Sequence, residues 1–463
     1  MSLALKIMMM AGGNDQHLWP LANSLRADQF VPLLERPDGG KESIVQRIWR
    51  QLEAADLQDY AHVCTTLEQA ELLQKQLGQL TPVVLEPVQR GTYWAAALAA
   101  AYFHSIACLS MNETIIVLPA NIGVQQSFYD CIRSLPKLLK DSGNELMLIG
   151  IRAEEPAAER ALILTDSRGD EADFYSKVLS FNGQPSIKEG ERLAAEGAYW
   201  HSGAFAFRLG FMIERLLEEG LSAHYGELFR QYEALSSRSF ATLVQDTRTG
   251  LVEYAGQWTE LQDWQSLRPF LHHDLVVMEQ AAGREQPSCL FNELDLPIVV
   301  EGFSNIMVAA SRDGIRITNL DGGERGQNGY PKAEEDRIRL PLPMTEEKRW
   351  GRAEVLGHSS YADGHQVSVR RLRMDKGKNL DYEIHLNRSE YWMITAGEAE
   401  LLIDERPSTV KTGDTVIIPP RTRHSLKALT DLEWVELQMG DLFSGNDAIV
   451  ISSTWDELGL SSS

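Results

Sequence analysis

The sequence predicts two folds in series: a doubly wound α/β domain and, after a short β linker, an all-β jelly roll. Three observations carry this. In the first half, short apolar runs rich in Val, Ile, Leu and Met alternate with longer stretches whose apolar residues recur at helical spacing. That is the pattern of buried parallel strands joined by crossover helices. After about residue 297 the segments become short and strand-like, with Gly or Pro at most joins, as in double-sheet jelly rolls. Two polar motifs then sit among those strands, E-x-H-x4-E-x6-G over residues 383–397 and G-x5-P-x4-H over residues 413–424.

Residues 5–11, 62–65, 83–86, 114–119 and 146–151 read as the parallel strands, and residues 43–53, 67–77, 92–107 and 126–139 as the helices between them. Ligands of such sheets bind beyond the carboxyl ends of the strands. Residues 11–17, 86–92 and 119–122 should therefore surround one cleft. A strand at 200–207 precedes helical patterns near 212–217 and 225–235, and short strands follow at 298–300, 305–310 and 315–319. Residues 321–343, rich in Gly, Pro and charge, read as a connector. Strands at 367–374, 391–395, 398–403, 415–418 and 432–437 build the last domain. The expected limits are 1–296 for the α/β domain, 297–345 for the linker and 346–463 for the jelly roll.

Within the last domain, Glu383 and His385 alternate on a strand and leave the same face. Glu390 follows a polar break, Asn387-Arg388-Ser389, long enough to turn the chain back, and His424 comes just after Pro419-Pro420. Two imidazoles and two carboxylates converging from neighbouring strands form a divalent-metal set of mixed N/O type, suited to Zn, Co, Mn or Fe. The pattern resembles the two cupin motifs, with Glu383 where the first His usually stands and Arg421 where the second motif has Gly. The alternative is a barrel whose polar interior is only hydrogen-bonded.

Composition excludes other classes. Lys plus Arg number 44 against 66 for Asp plus Glu, a net charge of −22, and that field opposes nucleic acid and anionic membranes. Cys64, Cys108, Cys131 and Cys289 are scattered, as reduced thiols are, with no disulfide or zinc framework. The apolar opening is too short to span a bilayer and runs into Gly12-Gly13, so it reads as a first buried strand and the expected location is the cytoplasm. The adjacent His272, His273 and Asp274 are not promoted to a metal cluster, because neighbouring side chains on a helix point apart.

Several framework motifs share one resemblance. Met8-Met9-Met10-Ala11-Gly12-Gly13, Leu18-Trp19-Pro20-Leu21, Gln29-Phe30, Glu86-Pro87-x-x-Arg90-x-Thr92, Val117-Leu118-Pro119-Ala120 and Ser202-Gly203-x-Phe205 precede the cupin half. Together they resemble the bifunctional mannose-1-phosphate guanylyltransferase/mannose-6-phosphate isomerase family along nearly the whole chain. The resemblance implies a nucleotidyltransferase-like front domain, with Gly12, Gly13, Glu86 and Arg90 lining the nucleotide site, and Mg²⁺ there if that half is active. The family's loop reads A-G-G-S-G-T-R-L-W-P-L-S-R followed by P-K-Q-F. Here its Arg is His17 and its Lys is Asp28. At an effective dielectric near 20 a unit charge pair about 4 Å apart is worth roughly 4 kcal/mol, so exchanging Lys for Asp opposes triphosphate strongly. The family's L-P-A-D-H has become Leu118-Pro119-Ala120-Asn121-Ile122, and its D-V-G-S-W survives as Glu260-Leu261-Gln262-Asp263-Trp264. Its E-K-P is Gly183-Gln184-Pro185 and its N-S-G is His201-Ser202-Gly203. Guanylyl transfer is expected to be impaired, with Arg26, Lys41 and Arg90 as the residues that would have to compensate.

The cupin half follows the family more closely. Its metal ligands carry over onto Glu383, His385, Glu390 and His424, while extra histidines of the family run are Leu386, Asn387 and Tyr391. The resemblance implies metal-dependent interconversion of mannose-6-phosphate and fructose-6-phosphate. Such chemistry needs a base and a cationic pocket. Arg388, Tyr382 and Tyr391 are the catalytic candidates, and Arg370 and Arg371, with Arg388, the candidate phosphate contacts; no base identifies itself, with Tyr382, Tyr391 and the metal-bound Glu383 or Glu390 all open. Expected ligands are a sugar phosphate and, at the front, GTP or GDP-mannose. A homo-oligomer or an active paralogue is the expected protein partner. The competing readings are a non-catalytic sugar-nucleotide sensor or scaffold, and a working guanylyltransferase with a compensated site.

Overall fold

The apolar run Leu5–Met10 forms a strand paired in parallel with Ala61–Thr66 on one side and Thr114–Pro119 on the other. The computed structural model describes residues 5–153, 160–166, 175–183, 185–244, 247–272, 276–277, 288–303, 305–320, 343–361, 363–440 and 447–455. The chain divides into two units, Met1–Leu18 with Ala27–Met278, and Trp19–Arg26 with Glu279–Ser463.

The first unit is built on a nine-stranded sheet. Its spatial order is Val83–Glu86, Ala61–Thr66, Leu5–Met10, Thr114–Pro119, Tyr199–Arg208, Leu146–Arg152, Thr249–Glu253, Ser176–Asn182 and Leu162–Thr165. Tyr199–Arg208 runs antiparallel to both of its long neighbours, so the expected parallel strands 114–119 and 146–151 share a direction without touching. The helices fall where apolar spacing placed them: Ile44–Ala54, Ala70–Leu77, Thr92–Ser105 and Phe128–Ser142. Ser43 starts the first through a capping box with Gln46, which satisfies amide groups the helix leaves open. Thr92–Ser105 is Ala-rich and buried on nearly every side, as a helix between a sheet and further helices must be. Because Leu5–Met10, Val83–Glu86 and Thr114–Pro119 are co-directional, their carboxyl ends deliver residues 11–17, 86–92 and 119–122 to one edge. A small antiparallel pair, Ile122–Val124 with Trp258–Glu260, sets Glu260 opposite Ile122 and so beside Asn121.

In the second unit, Ser288–Asn292 pairs in parallel with Ile306–Ser311, which pairs with Gly314–Asn319. The strand expected at 298–300 is absent: those residues have no sheet partner, and Val299 is exposed. The connector at 321–342 lies outside the described residues. The jelly roll consists of a six-stranded and a five-stranded antiparallel sheet. Three strands of the larger sheet, Gln366–Met374, Leu432–Gly440 and Arg388–Ala396, lie side by side. Their inward positions form layers set by the two-residue period. Leu372, Trp434 and Ile394 belong to the apolar core. The next layers are polar on the same face: Arg370 and Glu436 beside Trp392, then Ser368, Gln438 and Glu390, then Arg388.

Candidate functional site

The barrel's polar layers meet two residues of the smaller sheet. Glu383 stands in register with His424 across the strands Tyr382–His385 and Arg423–Ala428. Donor atoms of Glu383, His385 and His424 lie within 4.8 Å of one another. Glu390 joins them from the larger sheet: its Oε1 is 3.2 Å from His385 Nε2 and its Oε2 is 3.5 Å from His424 Nε2. All four residues expected as ligands are therefore together. His385, Glu390 and His424 are buried.

The donor set fits a divalent metal. His424 Nδ1 is 3.0 Å from the Thr422 carbonyl. A carbonyl only accepts, so that nitrogen carries a proton, and Nε2 is the atom left facing Glu390, where a metal would meet it. Glu390 is fixed by Trp392 Nε1 on Oε2 at 3.2 Å, and by Arg388 Nε at 3.1 Å and Gln438 Nε2 at 3.2 Å on Oε1. Burial would raise its carboxyl, but hydrogen bonds and charge from His385 and His424 hold it well below the usual carboxylate range. Burial opposes a charge on His385, yet Glu383 and Glu390 push its imidazole up to about 9.

Three site residues escaped the sequence reading. Glu436, buried one layer below Glu390, accepts from Gln438 Nε2 at 2.5 Å. Burial and the charge of Glu390 push its carboxyl up to about 7. Asp447 is buried beside Arg388, with Oδ2 3.9 Å from Arg388 Nε. The signal for Glu436 and Gln438 was present: they extend the inward alternation of Leu432 and Trp434 with polar residues.

Other expected residues go elsewhere. Tyr382 is one residue out of phase with Glu383 and His385 and packs with Leu402 and Trp455 outside the metal cluster. Tyr391 lies between the inward Glu390 and Trp392 and is 40% exposed. Strand alternation thus removes both tyrosines from the catalytic set. Arg371 also faces outward, tied to Glu354 at 3.0 Å and Asp295 at 2.6 Å, so it is no phosphate contact. Arg370 does face inward, 3.2 Å from Glu346.

At the front edge the predicted loops do converge. Gln29 Nε2 donates to the carbonyls of Ala11 and Gly13 at 2.9 and 2.8 Å, Gln69 Nε2 to Gly13 at 3.2 Å, and Gln89 to Gly12. A Cβ on Gly12 would stand 3.1 Å from Glu86 Oε2, so any side chain there would press on that carboxylate. Glu86 is buried, accepts from Tyr232 at 2.7 Å, and has its carboxyl raised by burial. Arg90 spends its guanidinium on the Glu233 carbonyl at 2.6 Å.

At His17, Asp28, Asn121 and His201 the departures from the family pattern have found partners inside the protein. Asp28 accepts from the backbone N–H groups of His17 and Leu18 at 2.9 Å each, and its Oδ2 lies 3.0 Å from His17 Nδ1. The hydrogen bond to Asp28 raises the His17 imidazole, while burial raises Asp28 despite the pull of His17. Asn121 Nδ2 donates to Glu260 Oε1 at 3.4 Å, where the family brings two carboxylates onto Mg²⁺. Burial raises the Glu260 carboxyl, against the charge of Arg160. An amide donor facing the remaining carboxylate does not fit a hard cation. His201 stacks on Phe240 at 4.7 Å with the rings 6° from parallel, and burial lowers its imidazole to about 3. Of the residues that would have to compensate, Arg26 points its Nη2 at both carboxylate oxygens of Glu293 in the second unit, at 3.0 and 2.9 Å. Lys41 is exposed. Of the three residues at 272–274, His272 is buried with Nε2 2.8 Å from the Gly39 carbonyl; His273 and Asp274, like Gln184, lie outside the described residues.

The profile of the nucleotidyl transferase family matches residues 6–267, more than half of the chain. That of the mannose-6-phosphate isomerase C-terminal domain matches residues 343–453. A mannose-1-phosphate guanylyltransferase of Sinorhizobium fredii is 26% identical over 479 residues, covering 96% of this chain and 90% of that protein. The alginate biosynthesis protein AlgA of Pseudomonas aeruginosa is 23% identical, covering 95% of each. Among solved structures, one described as a mannose-1-phosphate geranyltransferase from Thermus thermophilus superposes with a TM-score of 0.54 at 21% identity. It covers 69% of this chain and 96% of its own and shows the same fold. Among the described residues no helix is long and apolar enough to cross a membrane.

Proposed function

We propose, for a chain that belongs to the nucleotidyl transferase family in its bifunctional mannose-1-phosphate guanylyltransferase/mannose-6-phosphate isomerase branch, that the barrel interconverts mannose-6-phosphate and fructose-6-phosphate while the front domain no longer transfers guanylyl groups. The observation that carries this reading is the convergence of Glu383, His385, Glu390 and His424 in one buried cluster. These four would hold Zn, Co, Mn or Fe, and such an ion, when bound, polarises the carbonyl and hydroxyl oxygens of the sugar.

Aldose–ketose exchange moves the C2 proton to C1 and the O2 hydroxyl proton to O1. Glu436 is our candidate for the carbon-bound proton, because its partner is the neutral Gln438 amide and its carboxyl is poised at about 7. Arg388 and Arg370 supply the cations for the phosphate. The setting would be the cytoplasm, in nucleotide-sugar supply for a surface polysaccharide.

A second reading has one observation in its favour. The glutamine bonds to the carbonyls of residues 11–13 keep the front loop shaped although its charges have changed, which suits a sensor that binds GDP-mannose without turnover. Elemental analysis of purified protein beside Glu390→Ala, with mannose-6-phosphate turnover measured on both, tests the first reading. Metal and turnover in the wild type, both lost in the variant, support it. A protein that binds GDP-mannose and turns over neither substrate supports the sensor.

A further inference from the structure

Arg388 does not merely neighbour the ligand cluster; its guanidinium straddles two of the ligand atoms. Nε lies 3.1 Å from Glu390 Oε1 and Nη2 lies 3.0 Å from His385 Nε2. A guanidinium only donates, and a neutral imidazole nitrogen has one lone pair. Arg388 Nη2 stands against the same nitrogen that a metal would need, and metal binding requires that nitrogen to be clear of both a proton and the guanidinium. Glu390 Oε1 already serves Arg388 and Gln438. Beside them, Asp447 keeps its Oδ1 on the Asn387 N–H at 2.9 Å, while its buried Oδ2 has no hydrogen-bond partner among the described residues. That oxygen is 3.9 Å from Arg388 Nε. A buried carboxylate oxygen without a donor is costly unless a donor arrives in some working state.

Resting on the metal-site reading above, we propose that Arg388 and a divalent metal exchange places on His385 and Glu390, and that Asp447 receives the guanidinium when it leaves. Asp447 is then a positioning residue: it makes metal entry possible without touching the metal. The displaced Arg388 stays within the barrel, where its charge faces an anionic substrate and no longer the ligands. Metal loading and the placing of a phosphate contact thereby become one event.

The test is Mn²⁺ affinity, measured calorimetrically on the full chain for wild type, Arg388→Met, Asp447→Asn and the double variant. Asp447→Asn should weaken Mn²⁺ binding by about tenfold, the scale of one charge-assisted hydrogen bond. Arg388→Met should tighten it, and Asp447→Asn added to Arg388→Met should have a much smaller effect than alone. Equal effects of Asp447→Asn in both backgrounds would overturn the exchange. A wild type that binds no Mn²⁺ would instead overturn the isomerase reading itself. If the variants misfold, a crystal structure of the wild type with Mn²⁺ decides. Arg388 within hydrogen-bonding distance of Asp447 Oδ2 is expected, and Arg388 still on His385 Nε2 sinks the proposal.

Discussion

Asp28 holds His17 through both backbone and side chain: Oδ2 accepts the His17 N–H at 2.9 Å and lies 3.0 Å from its Nδ1. The two positions at which the family carries phosphate-binding cations have become partners of each other. Restoring one alone should therefore damage the loop. We expect Asp28→Lys to cost about 2–3 kcal/mol of front-domain stability, because the half-buried His17 and the buried Leu18 lose the acceptor of their N–H groups. It should not restore MgGTP binding. Chemical denaturation with a GTP titration checks this, and a variant as stable as wild type that binds MgGTP contradicts it.

Asn121 and Glu260 make a second such pair. Asn121→Asp would set two carboxylates face to face in a half-buried place, which destabilises unless a cation enters. The melting temperature of this variant should fall in EDTA and recover with Mg²⁺, whereas the wild-type front transition should not move with Mg²⁺. Equal responses of the two proteins would show that Asn121 does not govern cation binding.

His201 gives a pH dependence of known sign. Its folded value, about 3, lies below the ordinary value near 6.5, so the unfolded chain takes up the proton first. The stability associated with neutral His201 is complete above pH 6.5 and is lost as pH falls toward 3. His62, lowered to about 4 by burial, adds in the same direction. His201→Phe should flatten the fall in melting temperature between pH 6.5 and 4, and an unchanged slope would count against the buried neutral imidazole.

Glu436 should be needed for proton movement but not for metal. Glu436→Gln is expected to retain bound metal and to lose exchange of the C2 proton of mannose-6-phosphate with deuterated solvent by a factor of about 10² or more. In wild type the exchange rate should rise with pH as the carboxyl ionises. The midpoint should lie at or below about 7, since burial continues to raise it while a cation at Glu390 offsets the repulsion that adds to burial. Full exchange in the variant would assign the proton elsewhere.

Much of this was legible in the chain because period and punctuation encode it. The alternation Glu383-x-His385 gave one face of a strand, and the co-directional strands 5–10, 83–86 and 114–119 gave one edge for three loops. The same two-residue rule turns Tyr382 and Tyr391, possible bases by their place next to the ligands in sequence, away from the cluster. Glu436 and Gln438 escape the sequence reading because the strand expected at 432–437 carries no motif and stops short of Gln438, although their phase with Trp434 points them inward. The pairings His17–Asp28, Asn121–Glu260 and His201–Phe240 span 11, 139 and 39 positions. No local pattern joins residues that far apart. Read singly, each substitution looks like a loss, and only folding shows it satisfied.

A single phosphorus NMR time course on the full chain reaches the centre of this account, with mannose-6-phosphate, mannose-1-phosphate and GTP present together with Mn²⁺ and Mg²⁺. Growth of the fructose-6-phosphate resonance with no pyrophosphate signal is the predicted outcome. Pyrophosphate and GDP-mannose appearing while mannose-6-phosphate stays constant would contradict it on both counts.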